Sequence, residues 1–245
     1  LPNALTILGV CLGLSSIKFA LDLNYTMAII AIAFAAILDT LDGRVARLIK
    51  GTSKVGKELD SLTDVISFGV APSFVMYFWS INEIGKFGWM CVLIYTVCCA
   101  LRLARFNLTT INENETWKIN FFEGVPSPAA AGLVLLPLIL SLSEIINFEN
   151  QAIISIVVLL ITSILMVSNI PTYSLKRILI PRNLTIFVLL GIGVYLSLVI
   201  FYTFETLFLT GVIYVLLIPI SFYHYRSLNK KAINFTDEDE TEDIL

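Results

Sequence analysis

Apolar residues in this chain come in long blocks separated by short polar breaks. They do not alternate as in half-buried strands, and they do not form the one-sided stripes of surface helices. Eight blocks stand out, near residues 4–22, 25–43, 61–80, 87–106, 127–143, 151–169, 184–203 and 206–224. Each approaches the roughly 20 residues that a helix needs to cross about 30 Å of hydrocarbon. Glycine and proline inside such blocks do not argue against helices, because backbone in lipid must satisfy its own hydrogen bonds. The pattern predicts an all-α, polytopic integral membrane protein with about eight transmembrane helices. It also predicts a membrane-embedded domain over residues 1–228.

Composition agrees. With 57% hydrophobic and only 14% charged residues, the chain falls outside the range of soluble domains, which carry roughly 25% charge. Charge placement adds an orientation. An even number of spans puts both termini on one side, and the loops of that side, with the end of the fourth block, hold 14 of the 16 Lys and Arg residues. Lys18 and Lys86 are the two that fall elsewhere. The positive-inside rule then predicts cytoplasmic termini and a cytoplasmic loop at 44–60. The net charge of −3 depends on the tail, where TDEDETED supplies six acids. Residues 229–245 are expected to be a disordered, solvated end.

The four cysteines, Cys11, Cys91, Cys98 and Cys99, all lie inside predicted spans, and the single histidine is His224. Packing is the expected role of these cysteines, without disulfides. The first block shows no small-residue cleavage site and is read as a retained span. Nucleic acid is not among the expected partners; membrane lipids are.

Chemistry concentrates between Asp39 and Asp64, in DTLDGRVARLIKGTSKVGKELDSLTD. Ionised carboxylates close to hydrocarbon are rare and usually functional. Asp39 and Asp42 share one helix face by their spacing of three, and Asp60 and Asp64 share another by their spacing of four. Gly51, Thr52, Ser53 and Gly56 lie in the intervening segment, where the chain can turn back so that the four acids converge. Oxygen ligands without His or Cys suit Mg²⁺, Mn²⁺ or Ca²⁺ rather than zinc. Two such cations about 3.5–4 Å apart would clamp the attacking and leaving oxygens of a displacement. Gly43, Ala46 and Gly56 leave room for a ligand to approach backbone, and Arg47 offers a donor fork for phosphate. The plainer alternative is that these acids form surface ion pairs with the basic loop.

Asp39, Asp42, Gly43, Ala46, Arg47, Gly56, Asp60 and Asp64 match every fixed position of D-x₂-D-G-x₂-A-R-x₈-G-x₃-D-x₃-D. On these residues the chain resembles the CDP-alcohol phosphotransferases. LPNALT at 1–6, DSLTDVISFGVAP at 60–72, LRLARFN at 101–107, FEGVPSPAAAG at 122–132 and LMVSNIPTYSLK at 165–176 are similar to the branch that uses L-serine as acceptor. The likeness spans residues 1–180; the last two blocks and the tail share only general character.

The resemblance implies the CDP-alcohol phosphotransferase fold and transfer of a phosphatidyl group from CDP-diacylglycerol to the L-serine hydroxyl, with CMP leaving. It implies Asp39, Asp42, Asp60 and Asp64 as ligands of two divalent cations, and Asp64 also as general base. Gly43, Ala46, Arg47 and Gly56 would contact the CDP group, with Asn3 and Thr6 beside them. Phe68 and Gly69 would shape the site. Family members are commonly homodimers, though nothing in the sequence marks an interface. For serine, Arg102 and Arg105 stand three apart at the end of the fourth block and could fork its carboxylate. Alternatively they anchor the helix at the head groups. Pro126, Ser127, Pro128 and Ala129–Ala131 read as a close-packing helix start. Rival readings are a sibling enzyme using glycerol phosphate, inositol phosphate or choline, an ion-coupled transporter, and a lipid-binding scaffold.

Overall fold

The computed structural model describes residues 2–48, 54–108, 121–143, 149–173 and 184–242. Nine α-helices make up most of them: α1 (Pro2–Leu21), α2 (Tyr25–Leu48), α3 (Lys54–Asp64), α4 (Ala71–Trp79), α5 (Lys86–Leu108), α6 (Ser127–Leu142), α7 (Gln151–Val167), α8 (Thr185–Phe201) and α9 (Thr203–Glu242). A π-helical segment, Val65–Val70, joins α3 to α4, and a 3₁₀ turn, Ile81–Ile84, precedes α5.

Each predicted block corresponds to an apolar helical stretch. Five of these are long and apolar enough to cross a membrane: Ala4–Leu21, Tyr25–Val45, Glu58–Trp79, Lys86–Leu108 and Thr203–Leu228. Ser127–Leu142, Gln151–Val167 and Thr185–Phe201 are shorter. The outward faces carry exposed Ile, Leu, Val and Phe, most fully on α8, which has no buried residue. A soluble monomer rarely exposes so large an apolar surface. The chain is an integral membrane protein.

Local chemistry explains the turns. α1 and α2 are joined by three residues in which Leu23 takes a positive φ of 60°. The amides of Asp22 and Asn24 close onto Lys18 O and Phe19 O at the end of α1, and Asn24 Oδ1 accepts the Met27 amide at 3.2 Å, capping α2. The core between helices is built from Phe68, Val75, Met76, Tyr95, Leu138, Leu159 and Met166. α6 runs through its centre and buries Pro137 together with Leu135 and Leu138.

Four features depart from expectation. Phe121–Glu123 and Pro171–Tyr173 pair as a short antiparallel ribbon, β1 and β2, within an otherwise helical chain. Gly124 follows β1 at φ +73°, and a Cβ there would sit 2.6 Å from Met166 O and 2.9 Å from Ser168 O, so only glycine lets this segment cross the end of α7. The third block is not one regular α-helix, because the π segment interrupts it directly after Asp64. Finally, the expected disordered tail is helical in backbone, since α9 continues to Glu242. No glycine or proline follows Pro219 in that helix to stop it. Cys11 also departs from the packing role, being exposed while Cys91 and Cys99 are buried.

Candidate active site

One end of the bundle gathers the N-terminus of α1, the C-terminal half of α2, α3, the C-terminus of α5, the N-terminus of α6 and the ribbon. Asp39 from α2 and Asp60 and Asp64 from α3 bring carboxylate oxygens to within 4.8 Å of one another, each residue half-buried. Asp39 and Asp64 approach within hydrogen-bonding distance. Asp42 stands outside that group of three but lines the same narrow cleft, together with Thr6, Gly9, Thr63, Ser67 and Phe68.

Asp42 is buried, and Thr6 on α1 donates its hydroxyl to Asp42 Oδ2. Its other oxygen, Oδ1, is buried with no hydrogen-bond partner among the described residues, and the same is true of Asp64 Oδ1. Buried polar atoms are rarely left unpaired. Two orphaned carboxylate oxygens beside a three-acid cluster are therefore the donor set that a hard divalent cation needs, and the residues fit such an ion.

The helices that hold these acids are pinned by small residues. On α1, a Cβ at Gly9 would meet Thr63 Cγ2 at 3.3 Å, and one at Gly13 would meet Ser67 Oγ at 2.8 Å. The Ser67 hydroxyl donates to Gly9 O at 3.1 Å. A G-x-x-x-G spacing at 9–13 thus lets α1 lie against the π segment. Across the segment, Gly69 faces Cys99, and Tyr95 OH donates to Phe68 O at 3.0 Å. Thr63, Ser67 and the glycine pair escaped the sequence reading, although the G-x-x-x-G spacing was there to see.

The remaining predicted residues divide. Among the described residues, a Cβ on Gly43 would meet nothing within 4 Å. Gly56 is half-buried. The side chains of Asn3, Ala46 and Arg47 lie outside the described residues. Thr6 bonds Asp42. Arg102 is buried and donates Nη1–H to Ser127 Oγ at 2.7 Å, while its Nε has no partner among the described residues. Ser127, read as packing alone, is therefore also the anchor of that guanidinium, and Cys99 Sγ reaches it at 3.7 Å. Arg105 instead donates to Val167 O at 3.1 Å, Ser168 O at 3.2 Å and Asn169 Oδ1 at 2.8 Å. It satisfies carbonyls that the end of α7 leaves without helical partners.

The sequence profile of the CDP-alcohol phosphatidyltransferases matches residues 1–173. A CDP-diacylglycerol–serine O-phosphatidyltransferase of Mycobacterium leprae is 35% identical over 93% of this chain and 76% of its own length. One of Helicobacter pylori (strain ATCC 700392 / 26695) is 39% identical over 81% of this chain and 80% of its own. One of Mycobacterium tuberculosis (strain ATCC 25618 / H37Rv) is 40% identical over 75% of this chain, which spans 64% of that relative's length.

Proposed function

The chain belongs to the CDP-alcohol phosphatidyltransferase family, and we propose that it transfers the phosphatidyl group of CDP-diacylglycerol to the hydroxyl of L-serine, releasing CMP and forming phosphatidylserine. The observation that carries this reading is the convergence of Asp39, Asp60 and Asp64, with the buried Asp42 in the same cleft. The names of its relatives supply the alcohol.

Asp39, Asp42, Asp60 and Asp64 would hold two divalent cations, Mg²⁺ or Mn²⁺, with Ca²⁺ also compatible with an oxygen-only set. Bound there, the ions would neutralise diphosphate charge and stabilise the departing phosphate of CMP. The protein's own part is positioning. The serine hydroxyl oxygen forms a bond to the phosphorus that carries the diacylglycerol oxygen, and the bond from that phosphorus to the CMP oxygen breaks. Asp64 accepts the hydroxyl proton as the new bond forms. The open space at Gly43 takes the nucleotide, with Ala46, Arg47 and Gly56 beside it. Thr6 fixes the rotamer of Asp42. Arg102 turns its unpartnered Nε edge to the serine carboxylate, Ser127 holding the other edge. Arg105, committed to the end of α7, supports that arm.

The basic loops face the cytoplasm, so the head group enters from that side while both acyl chains stay in lipid. The test is CMP release by purified protein in detergent, given CDP-diacylglycerol, Mg²⁺ or Mn²⁺, and one alcohol at a time. Release that requires L-serine is expected. Release with glycerol phosphate, inositol phosphate or choline instead would move the chain to a sibling activity, and no release with any alcohol would overturn the reading.

A further inference from the structure

The matched family profile ends at residue 173, and α9 lies wholly beyond it. This helix nevertheless packs on α6 and on β2 at the active-site end. Its inward stripe runs through Phe204, Leu207, Gly211, Tyr214, Ile218 and Ser221, at intervals of three and four. At Gly211 a Cβ would stand 2.4 Å from Leu136 Cδ2, so glycine there lets α9 close onto α6. One turn further on, Tyr214 shares the face of Gly211 and lies within electrostatic reach of Arg102.

The Tyr214 hydroxyl is buried and has no hydrogen-bond partner of normal geometry among the described residues. It approaches Thr172, whose own hydroxyl donates to Gly124 O at 2.8 Å. Arg102 Nε and Asp64 Oδ1 are also buried and have no partner among the described residues, and Arg102 lies within electrostatic reach of both Tyr214 and Asp64. A donor on Tyr214 from α9 and an acceptor on Asp64 from α3 are thus each coupled to a donor on Arg102 from α5, and all three are buried without a partner among the described residues. Buried polar groups are rarely left without a partner. A small ligand with a carboxylate at one end and a hydroxyl at the other answers all three.

We propose that Tyr214 is a specificity residue of the acceptor pocket, its hydroxyl donating to the amino-acid carboxylate alongside Arg102 Nε. This rests on the phosphatidyl transfer to serine proposed above. Through Tyr214, α9 completes the pocket that distinguishes an amino acid from an uncharged alcohol.

The Tyr214→Phe variant tests it, because the change removes one oxygen and little else. The Tyr214 hydroxyl makes no hydrogen bond of normal geometry to the described residues, so the melting temperature in detergent is expected to stay within about two degrees of wild type. The KM for L-serine is expected to rise about tenfold or more, with the KM for CDP-diacylglycerol within twofold of wild type. Wild-type protein should prefer L-serine to L-serinamide, and Tyr214→Phe should narrow that preference by a similar factor. An unchanged serine KM in Tyr214→Phe overturns the proposal while leaving the transfer activity intact. A fall in melting temperature of several degrees also overturns it, since the hydroxyl would then serve the fold. Absence of L-serine-dependent CMP release by the wild type would defeat the underlying activity, and the proposal with it.

Discussion

Thr6 on α1 donates its hydroxyl to Asp42 Oδ2 on α2, and this leaves Asp42 Oδ1 buried and pointing at no protein donor among the described residues. The two residues are 36 positions apart. The bond fixes which oxygen of Asp42 is left unpaired, so Thr6 acts as a positioning residue for that carboxylate. Replacing it by valine keeps the shape and removes the donor. Thr6→Val should raise the Mg²⁺ or Mn²⁺ concentration needed for half-maximal CMP release by about tenfold, within the roughly 10–100-fold range typical of lost outer-shell partners. At saturating cation, turnover should recover most of its wild-type value. A metal titration of CMP release, alongside the melting temperature, checks this.

Asp64 carries a different burden. It is one of the three clustered acids, and its Oδ1 is buried without a partner among the described residues. Asp64→Asn keeps the volume but removes the proton acceptor. Loss of a general base typically slows reaction by about 10²–10⁴-fold. The expected result is a drop of that order in kcat, with CDP-diacylglycerol still bound. Near-normal turnover with metal binding preserved would remove the base role from Asp64.

How much of this arrangement could be seen beforehand depends on what each residue's partner is. The clustering of Asp39, Asp60 and Asp64 was legible because spacings of three and four fix the helix faces that carry them. The apolar blocks were legible because lipid enforces helix. Ser127 was not, since its bond to Arg102 joins elements 25 residues apart and proline–serine–proline reads equally well as a helix start. The π segment after Asp64 has no local signature; it answers to Gly13 on one side and Cys99 on the other. The β1–β2 ribbon was missed because two three-residue strands, separated by two helices, leave no periodic trace. Arg105 looked equivalent to Arg102 in sequence, and only the end of α7 separates their roles.

That separation is testable in one pair of variants. Arg102→Lys loses the fork whose one edge holds Ser127 and whose Nε has no partner among the described residues. It should raise the serine KM several-fold or more while sparing the KM for CDP-diacylglycerol. Arg105→Lys loses bonds to Val167 O and Ser168 O, so it should lower the melting temperature and leave the serine KM close to wild type. Steady-state kinetics with serine varied, paired with thermal unfolding in detergent, reads both. Equal serine effects in the two variants would mean that Arg105 also touches the substrate.

Divalent cation should act on stability as well as turnover. Asp39, Asp60 and Asp64 place like charges within 4.8 Å, and a cation that binds only the folded arrangement stabilises it by mass action. At about 100 times its dissociation constant, that is about 2.7 kcal/mol. Chelation should therefore abolish CMP release and lower the melting temperature together, and Mg²⁺ or Mn²⁺ should restore both. The Asp39→Asn/Asp60→Asn double variant removes two of the three clustered carboxylates, so its melting temperature should respond to neither chelator nor cation. If chelation shifted the double variant as much as the wild type, the stabilising ion would have to lie away from these acids.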